Sequence, residues 1–96
     1  MIYRPRKARA VRGVHARVAR DYLTRAIHKR AHARAGRGLV VYLICVEGRV
    51  PVKQAARVLG RDRRNIRRAL QRVEERRDVD RAFDYSVDVL AGEIFA

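Results

Sequence analysis

Apolar residues recur at helical spacing along most of this chain, and the breaks between the periodic stretches fall on glycine, proline and aspartate. Val14, Val18, Tyr22, Leu23, Ala26 and Ile27 form one such stripe, with Arg17, Arg20 and Arg25 off it, which predicts a first helix over residues 14–28. Residues 1–13 are basic and punctuated by Pro5 and Gly13, and read as a flexible N-terminal arm. The stretch 28–38, HKRAHARAGRG, holds no large apolar residue and reads as a loop. Next comes LVVYLICV, residues 39–46, whose β-branched residues would suit a buried strand. No second strand is available to pair with it, and a lone strand leaves its backbone groups unsatisfied. A buried helix over about 35–47 is therefore expected, ended by Gly48 in the role glycine usually takes after a helix C-terminus.

Three more helices follow from the same pattern. Pro51 suits a helix start, and Val52, Ala55, Ala56 and Leu59 share a face up to Gly60. Asp62 is a good N-cap for residues 63–77, where Ile66, Ala69, Leu70 and Val73 follow core spacing. Arg64, Arg68 and Gln71 project opposite that stripe, with Arg67 and Arg72 on its flanks. Asp78 is the expected cap of a last helix, about 79–94, with Ala82, Phe83, Val87, Leu90 and Ile94 inward. The chain thus reads as an all-α protein, a small helical bundle with a central helix-turn-helix in one domain over residues 14–96.

Charge sharpens this picture. The 96 residues carry 24 Lys+Arg against 10 Asp+Glu, a net charge of +14. Arginine dominates the cations, and its planar fork suits phosphate and guanine edges. Self-repulsion at this charge disfavours the free fold, which points to a polyanionic partner. The sign reverses near the C-terminus, where DVDRAFDYSVDVLAGEIFA is acidic. That segment is either a packing helix with aspartates in water or a protein-binding surface, for RNA polymerase or a sigma-like partner, which exposed Ile94 and Phe95 would support.

In a helix-turn-helix the second helix enters the major groove and its first turns meet base edges. RDRRNIRRAL has this character: a narrow apolar stripe, with Arg63, Arg64 and Asn65 in the leading turn. Arginine pairs bidentately with guanine and asparagine with adenine, while Asp62 would accept from cytosine or serve only as a cap. Lys53, Arg37, Arg67 and Arg68 are the expected phosphate contacts.

Residues 51–77, PVKQAARVLGRDRRNIRRALQRVEERR, resemble the C-terminal DNA-binding domain (domain IV) of the bacterial replication initiator DnaA. GRDRRNI stands at the family's signature, a glycine-containing turn followed by Arg-Asp-His-Thr-Thr, and RVEE follows at the matching distance. The likeness extends back over GLVVYLICVEG and forward to the acidic helix. It implies a phosphate contact for Arg61 and a base contact for Asp62. Arg63, Arg64 and Asn65 replace all the His-Thr-Thr base readers, which implies a target other than the initiator's box. Lys29, Arg30 and Arg34 lie where the family carries a minor-groove arginine. The phosphate loop of the family's ATPase is missing, so the resemblance implies a stand-alone regulator, similar to activators of phage-like gene transfer agents (the GafA and GafY type).

Other chemistry is weakly supported. His28 and His32 are four apart, a metal-compatible spacing, but nothing obvious completes a site. No catalytic constellation, cofactor or small-molecule substrate is expected. Cys45 sits in the apolar run as an inert thiol. No signal peptide or membrane span is recognisable, so a cytoplasmic, nucleoid-associated protein is expected. The alternative to sequence-specific double-stranded DNA binding is a non-specific nucleoid-associated or RNA-binding basic protein.

Overall fold

The computed structural model describes the backbone of residues 5–96 and the side chains from residue 15 onward. Helices α1 (Pro5–Ala31), α2 (Arg37–Tyr42), α3 (Val52–Leu59), α4 (Arg63–Val79) and α5 (Arg81–Ile94) make an all-α bundle, with no strand among the described residues. The last turn of α2 widens into a π-helical turn over Leu43–Glu47.

LVVYLICV is helical, and it is the centre of the molecule. Val40, Val41, Tyr42, Leu43 and Ile44 are all buried, so the middle of this helix is enclosed while Val46 at its end is exposed. It packs chiefly along α4, while α1 packs on α3 and α5 on α4. Ile27, Ala31, Val50, Ala55, Ala56, Ile66 and Ile94 complete the main core. A smaller cluster of Tyr42, Val73 and Val87, with Phe83 against it, joins α2, α4 and α5.

Several expectations need correction. The first helix begins at Pro5, so the backbone of 5–13 is helical where an arm was expected; residues 1–4 lie outside the described residues. Its outward residues include Val18 and Tyr22, 61% and 74% exposed. With about 3.6 residues per turn, steps of four overshoot each turn by about 40°, so the Val18–Tyr22 row drifts off the face that carries Ile27. The buried face is Thr24, Ile27 and Ala31. Thr24 satisfies its hydroxyl on the Arg20 carbonyl at 2.7 Å. Because Ala31 is fully buried, α1 continues through it, and the expected loop of 28–38 shrinks to the turn between Ala31 and Arg37.

Gly48 does follow the central helix, but its φ of −81° is ordinary right-handed backbone. A Cβ there would meet the Ile44 carbonyl oxygen at 2.7 Å and Ile27 Cδ1 at 2.9 Å, so glycine serves close packing. Pro51 is the residue before α3, with ψ 142°, not its first helical residue. The cap of α5 is Asp80, whose Oδ1 accepts from the Phe83 N–H at 2.9 Å. Asp78 has no such role, because α4 runs on to Val79. Ala82 is exposed, and Phe83, Val87, Leu90 and Ile94 carry the inner face of α5.

Candidate nucleic-acid interface

The turn between α3 and α4 is built by two short-range devices. Gly60 adopts φ 65°, ψ 40°, and the Arg61 N–H bonds back to the Ala56 carbonyl at 2.9 Å, closing α3 with a left-handed residue. Asp62, in extended conformation, accepts the Arg64 N–H on Oδ1 at 2.7 Å and starts α4. The Asp62 carboxylate is thus a cap, with one oxygen occupied. Ile66, 1% exposed, fixes the rotation of α4 against the core. Arg63, Arg64, Asn65, Arg67 and Arg68 are all left exposed.

Packing supplies what flanks this helix. Gly38, at the start of α2, lies against α4, where an added Cβ would make ordinary contact with Ala69 Cβ at 3.7 Å. This brings Arg37 beside α4, around a hollow of about 470 Å³ that Arg61, Asn65 and Arg72 also line. A wider cleft of about 710 Å³ opens on the α1 and α3 side, lined by Arg17, Arg20, Lys53, Arg57, Arg61 and Arg63. Arg61 and Asp62 lie between the two and border both. Sequence reasoning placed Lys53, Arg37, Arg61 and Arg63 in this region and missed Arg17, Arg20 and Arg57. No local signal marks those three, since α1 meets α3 only through tertiary packing.

Gln54 makes that packing specific. It is 9% exposed, donates to the Arg17 carbonyl at 2.8 Å and to Asp21 Oδ1 at 2.7 Å, and accepts from Arg20 Nε at 2.9 Å. Arg57 Nη2 also bonds Asp21 Oδ1 at 2.9 Å. The hydrogen bond from Gln54, with Arg57 beside it, holds the Asp21 carboxyl below its ordinary pKa.

The residues expected at a minor groove make contacts with the end of α5. Arg30 Nη1 donates to the Ile94 carbonyl at 2.7 Å, and Arg34 forms an ion pair with Glu93, so both engage the C-terminal end of α5. Lys29 lines a groove with Tyr22 and Phe95, and none of the three borders the hollows beside α4. The acidic end is likewise occupied by the fold. Arg77 donates from Nε to Asp84 at 2.6 Å and from Nη2 to Asp88 at 2.7 Å; Ile94 is buried, whereas Phe95 is exposed as expected. Glu74 accepts the Tyr42 hydroxyl at 2.7 Å.

His28 and His32 stack with ring centroids 5.5 Å apart, and His32 Nδ1 lies 3.0 Å from the Lys29 carbonyl oxygen. Among the described residues there is no group of three or more metal-ligating side chains, and no helix is long and apolar enough to cross a membrane. Comparison with protein-family models, with curated proteins and with solved structures gives no match. Geometry and charge therefore carry the functional reading.

Proposed function

We propose that this chain is a sequence-specific double-stranded DNA-binding transcriptional regulator that inserts the start of α4 into the major groove. The observation that carries this reading is the helix pair itself: a left-handed glycine turn, an aspartate cap, then Arg63, Arg64 and Asn65 exposed ahead of a buried Ile66. A major groove admits one such helix, and these side chains match guanine and adenine edges. Arg61, Lys53, Arg37, Arg67 and Arg68 hold phosphates around it, which fixes register without reading sequence. In this reading the chain works as a stand-alone module similar to domain IV of DnaA, as an activator of phage-like or gene transfer agent genes.

The test is genome-wide mapping of bound DNA followed by binding to a mapped site. Discrete promoter peaks are expected, and Arg64→Ala or Asn65→Ala should each weaken binding to that site by about 1–3 kcal/mol and binding to random duplex very little. A diffuse coating, with equal losses on both DNAs, would establish the non-specific alternative.

A further inference from the structure

We infer that the cleft between α1 and the facing ends of α3 and α4 extends the phosphate-binding surface of Lys53 and Arg61 onto α1, which grips the duplex backbone beyond the segment read by α4. This rests on the proposed insertion of α4 and adds to it an element, α1, that lies outside the helix pair.

The cleft is cationic by construction. Arg17 and Arg20 stand one turn apart on α1, Lys53 and Arg57 one turn apart on α3, and Arg61 and Arg63 flank the Asp62 cap. The two nearby carboxylates already have partners: Asp21 binds Gln54 and Arg57, and Asp62 binds the Arg64 N–H. No carboxylate among the described residues pairs with Arg17, Arg20, Lys53, Arg61 or Arg63.

Arg20 is the most telling of these. Its Nε edge is held by the neutral Gln54 amide, so the guanidinium is oriented without being neutralised. Crowding unpaired cations raises the energy of the free protein, and a guanidinium already oriented by a neutral group is ready for an incoming anion. The cleft, about 710 Å³ and open to solvent, leaves room for a run of sugar and phosphate as well as a lone ion. Continuity selects the duplex as occupant. Arg61 and Asp62 border this cleft and also the hollow around Asn65, so a backbone strand leaving the groove at the start of α4 passes across α1. Contacts of this kind add affinity without adding sequence information.

The experiment uses the full chain and compares wild type with Arg17→Ala, Arg17→Lys and Arg17→Ala/Arg20→Ala, measuring affinity against salt for the mapped site, a random duplex and single-stranded RNA of equal length. Arg17→Ala keeps the test independent of folding, because the bond from Gln54 goes to the Arg17 backbone carbonyl. Each lost phosphate contact should lower the salt slope on duplex by roughly 0.9. Over a fourfold rise in salt, wild type should then lose about 3.5 times more affinity than Arg17→Ala and about twelve times more than the double variant. Arg17→Lys should keep the slope, and the ratio of mapped to random binding should stay constant. An unchanged slope in both alanine variants overturns the inference, as does an Arg17-dependent slope on RNA equal to that on duplex. Should wild type bind both duplexes equally, base reading by α4 fails while the slope comparison still decides the role of α1.

Discussion

At Gly48 one methyl group would collide with the Ile44 carbonyl oxygen and with Ile27 Cδ1, both closer than 3.0 Å to an ideal Cβ. Gly48→Ala is therefore expected to destabilise the fold by about 1–3 kcal/mol in chemical denaturation. Gly92, inside α5 with nothing within 4 Å of an added Cβ, should behave oppositely, with Gly92→Ala gaining about 0.5–1 kcal/mol. The same residue type thus carries opposite signs, decided by what stands opposite each position. Cys45 gives a pH-dependent case: burial pushes its thiol up to about 11 from an ordinary 9.0. The raised value means that the fold favours the protonated thiol. Stability from this group is full below the unfolded pKa and is lost as pH rises toward about 11. Alkylation of native protein at pH 8 should be far slower than alkylation of denatured protein; equal rates would show the thiol is open.

Within single elements, boundaries follow from caps more than from the apolar stripe. Asp62 and Asp80 each accept a backbone N–H at the start of the helix that follows, and each marks a true start. The sequence pattern points to Asp78 as the cap of α5, whereas the structure uses Asp80, two residues on. What separates them is the length of α4, whose last turns are held by Arg77 to Asp84 and Asp88 and by Arg76 to Asp80. Asp80→Ala should cost about 1 kcal/mol and Asp78→Ala less than about 0.5 kcal/mol in thermal unfolding. A reversed order would place the start of α5 two residues earlier.

Across the whole molecule, the acidic end and the basic body are joined by a few arginines. Arg77, whose side chain is 17% exposed, reaches Asp84, Asp88 and the Tyr42 hydroxyl, which in turn donates to Glu74. Its hydrogen bonds to Asp84 first, then to Tyr42 and Asp88, raise its already high pKa, so the link persists across all ordinary pH on the arginine side. Arg77→Ala should cost about 1–2 kcal/mol after allowance for the partly exposed carboxylates. Arg77→Lys should recover little of this, because an ammonium does not span the two aspartates as a fork does. Full rescue by lysine in thermal unfolding would reduce the network to simple charge attraction.

By itself the sequence determined the all-α class, the buried nature of residues 40–44, the Gly60 turn, the Asp62 cap and the Ile66–Val73 stripe that turns the arginines of α4 outward. Each of these is written in a few neighbouring residues, through helical period, left-handed glycine or a side chain bonding its own backbone. Only the tertiary structure decided which way α1 faces, that Ala31 and Thr24 belong to its buried side, and that the terminal acids pair with Arg34, Arg76 and Arg77. It alone also set Arg17 and Arg20 across from Lys53. Those outcomes depend on contacts between residues far apart in the chain. Charge carries no direction along a sequence, and a small buried residue leaves no mark in its apolar pattern.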